Sequence, residues 1–140
     1  MVVIRTAKPE HRKSLHGLFL GLSRYADLWL VYSEMAAIDY ALSNRQIKIA
    51  LKGTTVIGAM VLEPRKEGVY IAAFYIKAGY RNKGIGKRLI NEAIRRTKRQ
   101  KKRYITVDTA FEYGAKGFYE SCGFYRTKTH RDCWSLKYKC

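Results

Sequence analysis

Arg81-Asn82-Lys83-Gly84-Ile85-Gly86 sets two glycines and two basic residues where a hydrophobic run, Val69 to Ile76, gives way to a long, basic, amphipathic stretch. If that stretch is a helix, the loop before it leaves a row of backbone N–H groups unpaired at the positive end of the helix dipole, which suits a pyrophosphate. Gly84 and Gly86 let the backbone approach an anion without a Cβ in the way, while Arg81 and Lys83 add charge-assisted contacts. Arg81, Asn82, Lys83, Gly84, Ile85, Gly86 and Lys87 are therefore the candidate anion-binding residues. Alone, the same turn is equally compatible with an ordinary helix start.

A second segment adds weight. Ala115-Lys116-Gly117-Phe118-Tyr119-Glu120-Ser121-Cys122-Gly123-Phe124 reads as a short helix ended by Gly123 and followed by a strand. Strand, Arg-x-x-Gly-x-Gly loop, helix and Phe-Tyr-x-x-x-Gly-Phe element together resemble the GCN5-related N-acetyltransferase (GNAT) family. Ile4-Arg5-Thr6-Ala7 with Pro9-Glu10, and Thr55-Val56-Ile57-Gly58-Ala59, resemble that family's first strand with its helix start and its third strand. The resemblance implies one N-acetyltransferase domain over residues 1–140: a mixed, mostly antiparallel sheet flanked by helices on both faces.

The activity so implied is acetyl transfer from acetyl-CoA to a primary amine of a small molecule, a protein or an aminoacyl-tRNA. Three tasks follow: deprotonate the amine, stabilise the oxyanion and protonate the departing thiolate. Holding an alkylamine of pKa about 10.4 neutral at pH 7 costs ~5 kcal/mol. For the thiolate, the resemblance implies Tyr119 as proton donor; helical spacing puts Ala115, Phe118, Tyr119 and Cys122 on one face, and packing with a hydrogen-bonded hydroxyl is the alternative. It also implies that the backbone of Phe74, Tyr75 and Ile76 pairs with the pantetheine arm, as in strand addition.

The chain departs from the family pattern twice. Ala72 and Ala73 stand where many relatives carry a carboxylate, so the base is unassigned, with Glu34, Glu63 and Asp108 as candidates by elimination. Glu112 stands where an asparagine is frequent, and either points away from the polyanionic donor or serves the acceptor. Tyr25 to Tyr32, rich in aromatic and aliphatic residues, could line an acceptor pocket, form a homodimer contact or simply pack in the core. Cys122 reads as a small buried residue.

The elements that must position these groups follow from patterning. Val2 to Ala7 is strand-like, and Leu15, Leu18, Phe19 and Leu22 recur at helical spacing after Pro9. Met35 to Ser43 predicts a short helix with Ile38, Ala41 and Leu42 on one face. Ile47, Ile49 and Leu51 alternate as in a strand, Gly53-Thr54 turns the chain into a partner from Thr55 to Leu62, and Glu63 to Gly68 reads as a hairpin loop. Ile85, Leu89, Ile90, Ala93 and Ile94 form the stripe of the long helix, Ile105 and Val107 alternate in the next strand, and Phe124 to Lys139 carries two closing strands.

Composition fits one domain of 140 residues with 47% hydrophobic content. No run of about 18 apolar residues suggests a membrane span, and no basic-then-apolar leader is seen. Three cysteines without a Cys-x-x-Cys fit a reducing, cytoplasmic setting and no metal site. The family does not explain the charge: 28 Lys and Arg against 11 acidic residues give a formal +17, and seven of the nine residues from Arg95 to Arg103 are basic. Such a field favours anionic partners, including non-specific nucleic acid through the basic face, or is a solvated surface. The alternative function is accordingly a basic nucleic-acid-binding module on an acetyltransferase scaffold, with regulatory or vestigial CoA binding.

Overall fold

The structure, a computed structural model, describes residues 1–21, 31–110 and 115–140. Short runs rich in β-branched residues pair into a sheet. Val2–Thr6 (β1) lies antiparallel to Ile47–Lys52 (β2), β2 to Thr55–Pro64 (β3) across the Gly53-Thr54 turn, and β3 to Gly68–Ile76 (β4). Tyr104–Ala110 (β5) runs parallel to β4 and antiparallel to Cys133–Lys139 (β7), which pairs with Tyr125–Thr129 (β6). The spatial order is β1-β2-β3-β4-β5-β7-β6, a mixed and mostly antiparallel sheet of seven strands, as expected.

Helices cover both faces. Arg12–Phe19 (α1), entered through a 3₁₀ turn at Pro9–His11, and Met35–Ser43 (α2) pack on one side, where Leu15, Phe19, Ile38 and Ala41 meet Ile49, Val61, Ala73 and Tyr75. Ile85–Arg99 (α3) and Lys116–Ser121 (α4) pack on the other, where Leu89, Ile90 and Tyr119 meet Met60, Ile71, Phe74 and Val107. The α3 stripe is the expected one, with Ile94 only half-buried. Because helices lie on both sides, β2 is buried along Ile47 to Leu51 on both faces rather than on the single face its alternation suggests. The expected hairpin loop is also shorter: β3 continues to Pro64 and β4 begins at Gly68, with the Arg65 N–H donating to the Gly68 carbonyl at 2.8 Å.

One irregularity positions the site. β4 and β5 are in register only from Gly68↔Tyr104 to Ile71↔Val107. Beyond that, β4 stays bound to β3 as far as Gly58↔Ile76, while β5 stays bound to β7 as far as Ala110↔Cys133. The two strands therefore part in the middle of the sheet, starting where a register shift between Val61 and Leu62 bends the β3–β4 pair. Leu89, fully buried, packs α3 against β3 near Gly58. Leu89→Ala should lower the unfolding free energy by about 2–5 kcal/mol with an unchanged denaturant slope, measured by urea titration.

Candidate active site

The gap between the parted ends of β4 and β5 opens into a cleft of ≈ 440 Å³ on the α3–α4 side. Phe74 and Ile76 from β4, Arg81, Asn82 and Gly84 from the loop, Gly86 and Lys87 from α3, and Phe118 and Tyr119 from α4 line it. Eight of the sequence-derived site residues thus share one cavity: Phe74, Ile76, Arg81, Asn82, Gly84, Gly86, Lys87 and Tyr119. The side chains of Tyr75 and Ile85 go elsewhere, Tyr75 into the core under α1 and α2 and Ile85 under α3, and Lys83 is exposed.

Backbone alternation sorts the β4 groups. The Lys77 N–H donates to the Ile57 carbonyl at 2.8 Å, so two residues back the N–H and C=O of Tyr75 point at Ala59. Those of Phe74 and Ile76 therefore point toward the β5 side, where the cleft lies. The Ile76 carbonyl confirms the direction by accepting from Arg81 Nε at 2.8 Å. An extended arm added to this edge would pair with Phe74 and Ile76, not Tyr75.

Gly84 caps α3 with φ 82 and ψ 0, a left-handed conformation that favours glycine, and no side chain caps the helix. Its first-turn N–H groups consequently face the cleft with the dipole behind them, the arrangement that binds phosphate oxygens. Gly86 has a different constraint: a Cβ there would sit 3.1 Å from the Phe118 ring and 3.5 Å from that of Phe74, so its missing side chain lets α4 close on α3. Arg81 is also partly committed. Besides holding Ile76, its guanidinium stacks 4.9 Å above the Tyr75 ring, so it braces the loop as well as lining the cleft.

Tyr119 is 4% exposed, with ring centroids 6.2 Å from Phe74, 5.4 Å from Phe118 and 5.5 Å from Phe124. This aromatic cage fixes the ring at the cleft wall. Burial pushes the Cys122 thiol up, against the Ser121 hydrogen bond and the charge of Lys87, so the cysteine is no ready nucleophile.

On the opposite face lies a polar chain that sequence reasoning reached only in part. Tyr70 donates to Asp108 Oδ2 at 3.0 Å, Ser135 donates to Asp108 Oδ1, and His130 Nε2 lies 2.8 Å from Ser135 Oγ. With Ser135 donating to Asp108, the remaining bond requires His130 to carry its proton on Nε2. Tyr70 and Asp108 flank Ile71↔Val107, the last registered β4–β5 pair, so their hydrogen bond spans the point where the strands part. Burial, then the charge of Asp108, pushes the Tyr70 hydroxyl well above the usual tyrosine range. Strand alternation could have placed Tyr70 and Asp108 on this face; nothing in the sequence pairs Ser135 and His130 with them.

Of the other base candidates, Glu63 accepts from the buried Tyr32 hydroxyl and pairs with Arg65 at 3.2 Å. Glu34 is exposed at the start of α2 and makes no side-chain cap. Glu112 and residues 22–30, which include most of the aromatic stretch from Tyr25, lie outside the described residues; Tyr32, at its end, is a core residue against Phe19. Among the described residues no cluster of His, Cys, Asp and Glu could hold a metal, and no helix is long and apolar enough to cross a membrane.

Known proteins share this fold. Over essentially its whole length the chain superposes on PaiA N-acetyltransferase from Thermoplasma acidophilum, solved with coenzyme A, at TM-score 0.88 and 18% identity, covering 100% of this chain and 99% of that one. It superposes on Ard1 from Thermoplasma volcanium at 0.84 and 16%, covering 99% and 97%, and on a chain of the NatC complex bound to Gag peptide and CoA at 0.79 and 24%, covering 99% and 98%. No curated protein sequence matches it. The model of the acetyltransferase (GNAT) family matches residues 16–124, a span that runs from α1 through the glycine loop to the Phe-Tyr-x-x-x-Gly-Phe element, and the chain belongs to that family of acetyl-CoA-dependent acetyltransferases.

Proposed function

We propose that this enzyme transfers the acetyl group of acetyl-CoA to a primary amine, with the donor in the α3–α4 cleft and the acceptor approaching the strand gap from the side of Tyr70 and Asp108. The observation that supports this reading is the divergence of β4 and β5, with the cleft at the start of α3 on one face of the sheet and the Tyr70–Asp108 carboxylate network on the other. Acetyl-CoA supplies an acyl carbon activated as a thioester, and everything else is done by side chains and backbone already in place.

The N–H groups at the start of α3 take the pyrophosphate, helped by Lys87, while the backbone of Phe74 and Ile76 holds the extended arm. Tyr119, held by its aromatic cage, gives a proton to the leaving sulfur. Asp108 receives the amine proton. A carboxylate is too weak a base to deprotonate a free alkylammonium, but it can hold the neutral amine and take its proton once C–N bond formation has made that nitrogen strongly acidic. Tyr70, kept protonated by burial, and Ser135 fix the carboxylate's two oxygens, and His130 connects Ser135 to the molecule's edge. The alanines at 72 and 73 are then no gap in the machinery, because the carboxylate stands on β5 instead of β4.

Three outcomes are expected. Gly84→Asp places a charged side chain in a left-handed position facing the phosphates, so calorimetry should show CoA affinity largely lost with the circular dichroism spectrum unchanged; unaltered affinity removes the donor site. With an acceptor found by screening amines and peptides for CoA release, Tyr119→Phe should lower kcat by on the order of 10²-fold with little change in CoA affinity, whereas wild-type kinetics would make the residue packing only. Asp108→Asn should lower kcat/KM by ~10²-fold or more near neutral pH and regain part of it as pH rises and more acceptor arrives neutral. A uniform loss at every pH would assign Asp108 a structural role.

A further inference from the structure

A second cavity, of ≈ 340 Å³, lies at the far end of α3, between that helix and the β1–β2 edge. Its lining is Thr6, Asn44, Arg45, Lys48, Arg96, Arg99 and Gln100: four cations and no acid. They arrive from separate elements, Lys48 from β2, Arg45 from the turn before it and Arg96 and Arg99 from the last turn of α3. The helix dipole accounts for basic residues on that last turn, but not for Arg45 and Lys48.

The cations are built into the fold. Lys48 is 9% exposed, with Nζ donating to Thr6 Oγ1 at 2.9 Å, and Arg96 Nη1 donates to the Arg45 carbonyl at 2.6 Å. Arg45 is held at φ 55, a conformation uncommon for a residue with a Cβ. Burial, then the neighbouring Arg96, lowers the Lys48 pKa, and burial followed by Arg99 and Arg45 lowers that of Arg96. Glu92 is the acid that acts on Lys48, and its carboxylate is already paired with Arg95. Three guanidinium groups gathered over a buried ammonium are mutually destabilising until an anion joins them.

We infer that this cavity is a binding site for a terminal phosphate group of a polyphosphate anion, separate from the acetyl-CoA cleft. The guanidinium forks match phosphate oxygens, and the volume falls within the range of ligand pockets, about 300–1,000 Å³. Lys48 sits at the floor, where an end-on phosphate reaches it and the backbone of a duplex lying across the surface does not. Along the helix axis, Arg96 and Arg99 stand ~16–21 Å from Ile85 at 1.5 Å per residue, so both sites can be filled at once.

The test uses the full chain saturated with CoA, which blocks the cleft. Pyrophosphate and inorganic triphosphate, titrated by calorimetry at constant ionic strength, should bind one per chain. Arg99→Gln, on an exposed residue, should weaken that binding by about tenfold or more, as loss of a charged hydrogen bond predicts, with CoA affinity unchanged. Lys48→Met, which keeps the buried stem, should do the same. A short RNA carrying a 5′-triphosphate should compete with triphosphate, while the same RNA with a 5′-hydroxyl should not. Absence of saturable binding, indifference of the affinity to both substitutions, or equal competition by the 5′-hydroxyl RNA would overturn the inference, the last by showing that the basic surface reads phosphodiester backbone.

Discussion

The parting of β4 and β5 is the constraint on which the rest of this structure depends. A parallel pair buried in the middle of a sheet normally continues its ladder, because each backbone group left without a partner away from water carries a penalty. Here the ladder stops at Ile71↔Val107, yet both strands keep going, each satisfied on its outer side by an antiparallel neighbour. The strands thus diverge without loss of either one, and the cleft lined by Phe74 and Ile76 lies beside β4. The loop to α3, the α4 aromatic residues and the Tyr70–Asp108 bond are all arranged around that opening.

The α3–α4 cleft was largely legible in the sequence because its signals are local. Gly84 at a helix start, the apolar stripe of α3 and the Phe118-Tyr119 pair each announce their geometry within a few residues, and the structure gathers them at one cleft. Two details were not legible there. Gly86 is demanded by the ring of Phe118, a contact across more than 30 positions, and Tyr75 was grouped with Phe74 and Ile76 although strand alternation turns its backbone toward β3. The first depends on tertiary packing; the second lay within reach of the period-two rule once the β3 pairing was known.

The polar chain on the other face was less legible, for a physical reason. Tyr70, Asp108, Ser135 and His130 come from three strands and a turn, and strand pairing alone decides that they meet. Composition showed the positive excess but not its distribution. The structure divides it: Arg81 and Lys87 line the α3–α4 cleft, Arg12 pairs with Asp39, and Arg45, Lys48, Arg96 and Arg99 converge on a cavity of their own. An overall charge of +17 is therefore not one featureless face.

The account rests on the proposal that the cleft-lining end of β4 and the start of α3 together receive the donor. Amide hydrogen exchange followed residue by residue, with and without CoA, measures this directly. The account predicts that the N–H groups of Ile76, Gly86 and Lys87 exchange fast in the free protein and slow sharply with CoA, while Tyr75, bonded to β3, is slow in both. Protection that leaves Ile76 and Gly86 unchanged, or that appears instead around Lys48 and Arg99, would contradict it.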